Sequence, residues 1–309
     1  MAWSGRCSGE GARSAAAPRG LVRRAMNRHR IVRAPASSAN LGPGYDVLAA
    51  ALEIELELEV EETGSFSVEC NLPGVPLDRT NLCVRAFERL HPADGVRFAI
   101  RSEIPPAAGL GSSAAAIVAG LAAADHMYEL DAPLFEHAVA LEGHPDNVGA
   151  ALLGGFVICA TDGEPVRFDS PAGLEGVLAI PPEEVPTTEA RKAMPAEVPL
   201  AEAVHNVGHA ALLVLGLAKD DFSLIGRGLR DLMHQPRRRP LYPFSMELVD
   251  RAEELGAVGA TISGAGPTVL FWCHWEQTGT LVERLRSEAA DCAVRRVTFS
   301  PGGADVRAL

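Results

Sequence analysis

The sequence has no C-x-x-C pair; its six cysteines (Cys7, Cys70, Cys83, Cys159, Cys273, Cys292) are scattered along 309 residues. That scatter argues against a thiolate metal site and a disulfide framework, and points to a reducing, cytoplasmic setting. No apolar run reaches the roughly 20 residues of a membrane span, and residues 1–25 lack the apolar core of a secretory signal. Basic charge is also in short supply. Lys plus Arg total 28 against 40 for Asp plus Glu, a net charge of −12. This argues against sequence-independent nucleic-acid binding, which needs a basic face, but leaves room for a local basic pocket holding a small anion. No internal repeat is present.

What remains is the composition of an ordinary globular protein, 47% hydrophobic and 22% charged, long enough for roughly two domains of about 150 residues. Residues 1–25, rich in Arg, Ala, Gly and Ser, superficially suggest a transit peptide. They are read here as an upstream extension or disordered tail outside the fold, with Met26 as a candidate start.

The clearest periodic signal runs from Leu52 to Glu61. There Leu52, Ile54, Leu56, Leu58 and Val60 alternate with five glutamates. Period two predicts a strand with one buried and one acidic, solvated face, so the glutamates read as a solubilising row rather than metal ligands. Ile31–Arg33, Phe66–Cys70 and Val96–Ile100 also read as strands, and Asn81–Leu90 as a helix. Ala34–Asp46 reads as a Gly/Pro-rich loop, and Thr161–Gly176 as a turn-rich boundary. Beyond it, strands at Val177–Ile180, Thr268–Trp272 and Val294–Phe299 alternate with helices at Ala201–Leu217, Phe222–Met233, Glu247–Leu255 and Thr280–Ala289, as in an α+β sandwich. A basic turn, Gln235–Pro240, holds Arg237, Arg238 and Arg239.

Pro105–Ala116, Pro-Pro-Ala-Ala-Gly-Leu-Gly-Ser-Ser-Ala-Ala-Ala, joins a strand to an alanine-rich helix starting at Ser112. Its glycines permit positive φ and close backbone approach, and Ser112 or Ser113 can cap the helix. Free N–H groups at such a start make an anion site; a bland helix cap is the competing reading. The loop is not a Walker sequence, because no Lys follows the second Gly. Nor is it a dinucleotide fingerprint, because Ala114 stands at the third Gly. A second polar cluster, Gly143-His144-Pro145-Asp146-Asn147, reads equally as a helix cap or a pocket lining.

Three stretches in order, Pro35–Asp46, Pro105–Ala116 and Thr261-Ile262-Ser263-Gly264-Ala265-Gly266-Pro267, resemble the signature motifs of the GHMP kinases, small-molecule kinases without a Walker loop. Ala39–Asp46, Gly143–Asn147, Thr187–Arg191 and the Gln-Pro-Arg-Arg turn are most similar to the homoserine kinases of that superfamily. The resemblance covers about Met26 to the C-terminus. It implies an α+β GHMP kinase fold: a ribosomal-protein-S5-domain-2-like N-terminal domain (26–168) and a ferredoxin-like C-terminal α/β sandwich (169–309), with the active site between them.

The resemblance also implies roles. Pro105, Ala107, Gly109, Leu110, Gly111, Ser112 and Ser113 would hold ATP, with Asn81 at the adenine. Ser113 and Glu136 would bind Mg²⁺, for which hard oxygen ligands are suited. Asp46, aided by Asn40, would take the substrate ammonium, while Arg191 and Arg238 would take its carboxylate as planar donors. Asn147 would meet the hydroxyl, with His144, Thr187 and Gly264 completing the site; Asn147, Arg191 and Ser113 are the catalytic candidates. The implied reaction is ATP-dependent phosphorylation of the L-homoserine hydroxyl in threonine biosynthesis, without a catalytic Asp base. Asp146 is the one rival for that task, and family habit implies a homodimer. Tyr45 departs from the more usual Phe, and the arginine run leaves the carboxylate partner ambiguous by one position. The alternatives are a GHMP kinase for a mevalonate-type, sugar or shikimate-type acceptor, or a silent ATP-binding sensor. Intact Ser112, Ser113, Glu136 and Asn147 argue against the sensor.

Overall fold

The alternating stretch forms β2 (Leu48–Glu62), with Ile54, Leu56, Leu58 and Val60 buried and Glu53 and Glu55 exposed. The structure, a computed structural model, describes residues 28–161 and 163–309; the expectation for residues 1–25 lies outside them. The glutamate row is answered across the sheet. Arg33 of β1 (His29–Ala39) meets Glu57 at 2.9 Å, and Arg97 of β4 (Val96–Ser102) meets Glu59 at 2.7 Å and Glu61 at 3.3 Å. Surface pairs of this kind contribute about 0–1 kcal/mol each, so the row solvates this face more than it stabilises it.

β3 (Ser67–Cys70), β5 (Phe156–Ile158), β6 (Val166–Phe168) and β11 (Asp305–Ala308) complete the first sheet. Its order is β11-β1-β2-β4-β3, with β5 on β2 and β6 on β5. α2 (Ser112–Tyr128) and α4 (Asp146–Leu153) pack on β1 and β2, while α1 (Leu82–Glu88) and α3 (Leu134–Glu142) pack against α2 and α4. The small residues of α2 are what admit this packing: a Cβ on Gly120 would lie 2.2 Å from the Cys83 carbonyl of α1.

The second sheet is antiparallel, β10-β7-β9-β8, from β7 (Leu174–Ile180), β8 (Gly259–Ile262), β9 (Val269–His274) and β10 (Ala293–Val297). α9 (Pro243–Asp250), α10 (Ala252–Leu255) and α11 (Trp275–Glu288) pack against it. α5 (Thr187–Lys192), α6 (Leu200–Ala218), α7 (Phe222–Gly228) and α8 (Gln235–Arg238) bridge β7 to α9. The sheets share one core: Trp272 of β9 lies 6.0 Å from Phe156 of β5, and both pack on Phe299.

Several expectations change. β1 runs on to Ala39, because Ala36–Ala39 pair with Ala49–Leu52 past a bulge, so half of the expected loop is strand. β5, β6, β8 and β11 were not anticipated; all are short, and pairing partners rather than local pattern make them strands. The chain leaves the first sheet after Phe168, but 305–308 return to it, so a division into 26–168 and 169–309 does not hold at the C-terminus. The basic turn is a short helix followed by a 3₁₀ turn. α6, at 19 residues and a mean hydropathy of 1.4, reaches the length and apolarity of a membrane span by composition, contrary to the expectation of none. Among its residues Asn206, Leu213, Gly216 and Leu217 are buried within the protein.

Candidate active site

Three loops meet over the N-terminus of α2. Gly111, at φ 67°, precedes the helix with no side-chain cap, so neither Ser112 nor Ser113 is the cap expected of them. The first ladder bond at this end is Ala115 N–H to Gly111 O at 2.9 Å. The N–H groups of Ser112, Ser113 and Ala114 therefore precede the ladder, and this end of a long helix favours negative charge.

Gly109, at φ 77°, lies so close to the third motif that a Cβ would meet Ser263 O at 2.3 Å and Gly266 O at 2.8 Å. Ser263 Oγ donates to Gly109 O at 2.7 Å, and Asn40 Nδ2 to Gly264 O at 2.8 Å. Ser37 N–H reaches Leu110 O at 3.1 Å. Segments far apart in sequence are thus fixed to one another through main-chain carbonyls.

The resulting cleft has a volume of about 220 Å³. Its walls are Pro105, Ala107 and Gly109–Ser113 from the glycine loop, Asn40 and Asp46 from the loop after β1, and His144, Asp146 and Asn147 before and within α4. Thr187 and Arg191 from α5, Arg238 from α8, Glu142 and Gly264 also line it. Asn40 Oδ1 accepts the Asp46 N–H at 3.0 Å and closes that loop. Arg191 grips Asp46 with both nitrogens, at 2.8 and 3.2 Å. Asn147 Oδ1 accepts from Ser37 Oγ at 2.8 Å.

Of the three consecutive arginines, Arg238 is the one in the cleft. Arg237 pairs with Glu202 and Arg239 with Asp250, both away from it. Arg238 is buried, donates to Ala190 O and Gly264 O at 3.0 Å each, and lies 5.3 Å from the Tyr45 ring centre. The Tyr45 hydroxyl is held above its usual range by burial first and then by the Asp46 charge, so it stays neutral.

Two expected residues are not in this cleft. Glu136 is exposed on the first turn of α3 and does not line it. Glu142, at the other end of α3, accepts from Ser113 Oγ at 2.5 Å and does line it. Six residues at 3.6 per turn place the two glutamates on different faces, so Glu142 replaces Glu136 in the candidate Mg²⁺ position. Asn81 lines an adjoining, largely apolar cavity of about 320 Å³ that shares Ala107, Ser112 and Ser113 with the cleft. Its amide is committed to structure: Oδ1 caps α1 through Cys83 N–H at 2.9 Å, and Nδ2 donates to Pro76 O at 2.8 Å. It shapes that cavity rather than offering it a free polar group.

His144 stands between acids, with Nδ1 3.0 Å from Asp146 Oδ1 and Nε2 3.7 Å from Glu142 Oε1. Burial alone would lower its pKa; the bond and charge of Asp146, and then Glu142, raise it above the usual imidazole value. Asp146 is buried and also accepts the Asn147 N–H at 2.8 Å.

The chain matches the model for the GHMP kinases N terminal domain over residues 81–155 and that for the GHMP kinases C terminal domain over 213–292. It is 40% identical over 263 residues to a homoserine kinase of Moorella thermoacetica, covering 80% of this chain and 88% of that protein. The chain belongs to the homoserine kinase family of the GHMP kinases. The crystal structure of homoserine kinase from Cytophaga hutchinsonii superposes with a TM-score of 0.81 at 28% identity, covering 93% of this chain and all of that one (100%). A putative homoserine kinase of Listeria monocytogenes gives 0.77 at 34%, covering 90% and 99%. The α+β architecture described above is therefore that of a GHMP kinase. Within this homoserine kinase framework the sequence reading missed Glu142 and Ser37. Glu142 lies just before the Gly143–Asn147 cluster, and Ser37 lies inside the Pro35–Asp46 stretch, but neither was singled out there.

Proposed function

We propose that the protein transfers the γ-phosphoryl group of ATP to the side-chain hydroxyl of L-homoserine, giving ADP and O-phospho-L-homoserine. The observation that carries this reading is the cleft's charge layout. Asp46, Arg191 and Arg238 form a zwitterion-shaped site beside the open N-terminus of α2. Asp46 takes the α-ammonium, and the two guanidinium groups take the α-carboxylate, where planar donors are strongest. Ser37 fixes Asn147 Oδ1 as an acceptor, leaving its NH₂ as the donor for the acceptor hydroxyl. The N–H groups of 112–114 hold phosphate oxygens, and the adjoining apolar cavity receives the base.

Ser113 and Glu142 offer oxygen donors in contact, a set that suits Mg²⁺ and would hold it. Such an ion neutralises charge on the phosphates. Asp146 is occupied by the Asn147 N–H and His144, so the site positions and stabilises rather than supplying a free carboxylate base, in keeping with the loose transition state of phosphoryl transfer. ADP release from ATP and Mg²⁺ with a panel of acceptors tests this reading. Homoserine should be preferred over mevalonate, galactose and shikimate; no homoserine-dependent ADP would refute it.

The working unit is a homodimer formed through the outer face of α6. Leu200, Val204, Val207 and Leu215 are exposed there, with no charged side chain among them, along about 22 Å at 1.5 Å per residue. Two copies pairing on this stripe would hide on the order of 1,000 Å², the lower end for a specific interface. The acidic strand face disfavours nucleic acid, and the scattered cysteines fit a reducing, cytoplasmic setting.

A further inference from the structure

We infer that His234 is a specificity-determining positioning residue: it fixes the distance between the ammonium-binding loop and the carboxylate-binding arginine, and so selects acceptors carrying both charges at amino-acid spacing. The inference rests on the proposed homoserine reading.

His234 is wholly buried at the turn into α8 and does not line the cleft. Its Nε2 lies 2.8 Å from Gly42 O, which can only accept, so Nε2 carries the proton. Nδ1 is then an acceptor, and Arg238 Nη1 lies 3.4 Å away. One imidazole therefore spans from the loop that carries Asp46 to the guanidinium on α8. Burial, the largest influence on it, lowers its pKa below the ordinary imidazole value against the raising pull of Asp231, 3.5 Å from Nε2, a direction that fits the neutral ring of this bridge.

The backbone that carries the ring is itself clamped by Asp231. Oδ2 of Asp231 accepts the N–H groups of His234 and Gln235 at 3.0 and 2.7 Å. Oδ1 accepts from Met233 N–H at 2.8 Å and Asn206 Nδ2 at 2.7 Å. Asn206 also reaches Pro43 O at 3.3 Å. The loop is closed at Asp46 by Asn40, while Arg238 is tied to α5 through Ala190 O. Tyr45 also lies against Arg238, and Asn40 and Arg238 share the Gly264 carbonyl, but among the described residues His234 is the side chain that hydrogen-bonds both the Gly42 carbonyl and Arg238.

The test compares three acceptors: L-homoserine, 3-amino-1-propanol (no carboxylate) and 4-hydroxybutyrate (no ammonium). In His234→Leu, kcat/KM for homoserine should fall at least tenfold through KM, with KM for ATP within about twofold. For each single-charge acceptor the loss should be under about threefold, because the spacing no longer matters. His234→Gln, with a donor and an acceptor, should restore most of the homoserine activity. Equal losses on all three acceptors, or parallel rises in both KM values, would reduce His234 to a structural role. If His234→Leu does not fold, His234→Asn, polar but too short for both partners, is read on the same acceptors with the same criteria. Wild-type protein inactive on homoserine would instead overturn the parent reading.

Discussion

Asp46 and Arg191, 145 residues apart, meet in a two-pronged ion pair at 2.8 and 3.2 Å inside the cleft. Each is the natural partner for one end of an amino acid: the carboxylate for an ammonium, the guanidinium for a carboxylate. Their adjacency brings those two subsites to within one side chain of each other. Arg191→Ala should therefore raise KM for homoserine by about ten- to hundredfold, since a hydrogen bond to a charged group is worth about 1.5–3 kcal/mol. KM for ATP should stay within about twofold. Steady-state kinetics with each substrate varied separately gives the answer, and a parallel loss of both affinities would mean that Arg191 merely holds the fold.

The two glutamates of α3 provide an internal control. Glu142→Gln should shift the Mg²⁺ concentration for half-maximal rate upward by about tenfold and lower kcat, because Ser113 loses its charged partner at the metal position. Glu136→Gln, on the exposed first turn, should leave the Mg²⁺ titration within about twofold of wild type. The reverse ranking would restore Glu136 as the ligand and show that the orientation of α3 differs in the working enzyme.

These contrasts mark what the sequence could and could not convey. The glycine loop was legible because Gly109, Gly111 and the serines are needed locally, by backbone conformation and a helix start. Arg238 was picked from three arginines, and of the three it is the one that is buried and lines the cleft. Glu136 was misplaced because residue type does not say which helix face meets a neighbour; that depends on how α3 packs against α2 and α4. Ala36–Ala39 looked like loop because four small residues carry no alternation, and only pairing with β2 makes them strand. Asp231 and His234 left no trace for a similar reason: their task is defined by Gly42, Asn206 and Arg238, which come together only in the fold.

Gly111→Ala should abolish most activity. At φ 67° the new Cβ would lie 2.1 Å from Ser37 Oγ and 3.1 Å from Asn147 Oδ1, displacing the pair that orients the Asn147 amide. The left-handed backbone adds roughly 1–2 kcal/mol of strain. The measurable signature is a lower Tm together with a fall in kcat of at least tenfold. Gly279→Ala, inside α11 where a Cβ meets nothing within 4 Å, should leave kcat unchanged and raise Tm slightly.

The outward face of α6 yields the remaining test. Leu200, Val204 and Val207 are 79%, 63% and 72% exposed, an apolar stripe that water disfavours by about 25 cal/mol per Å². An isologous pair places each residue against the same stripe on the other copy, so one substitution acts twice. Val207→Asp should therefore turn a dimer into a monomer in sedimentation velocity at micromolar protein. Its Tm should fall little, because Val207 faces away from the buried Asn206 and Leu213 on the same helix. A wild-type protein that is monomeric at the same concentration would exclude the dimer. If that monomer co-sediments with phosphatidylcholine vesicles, the stripe meets a lipid surface instead, as the length and apolarity of α6 would allow.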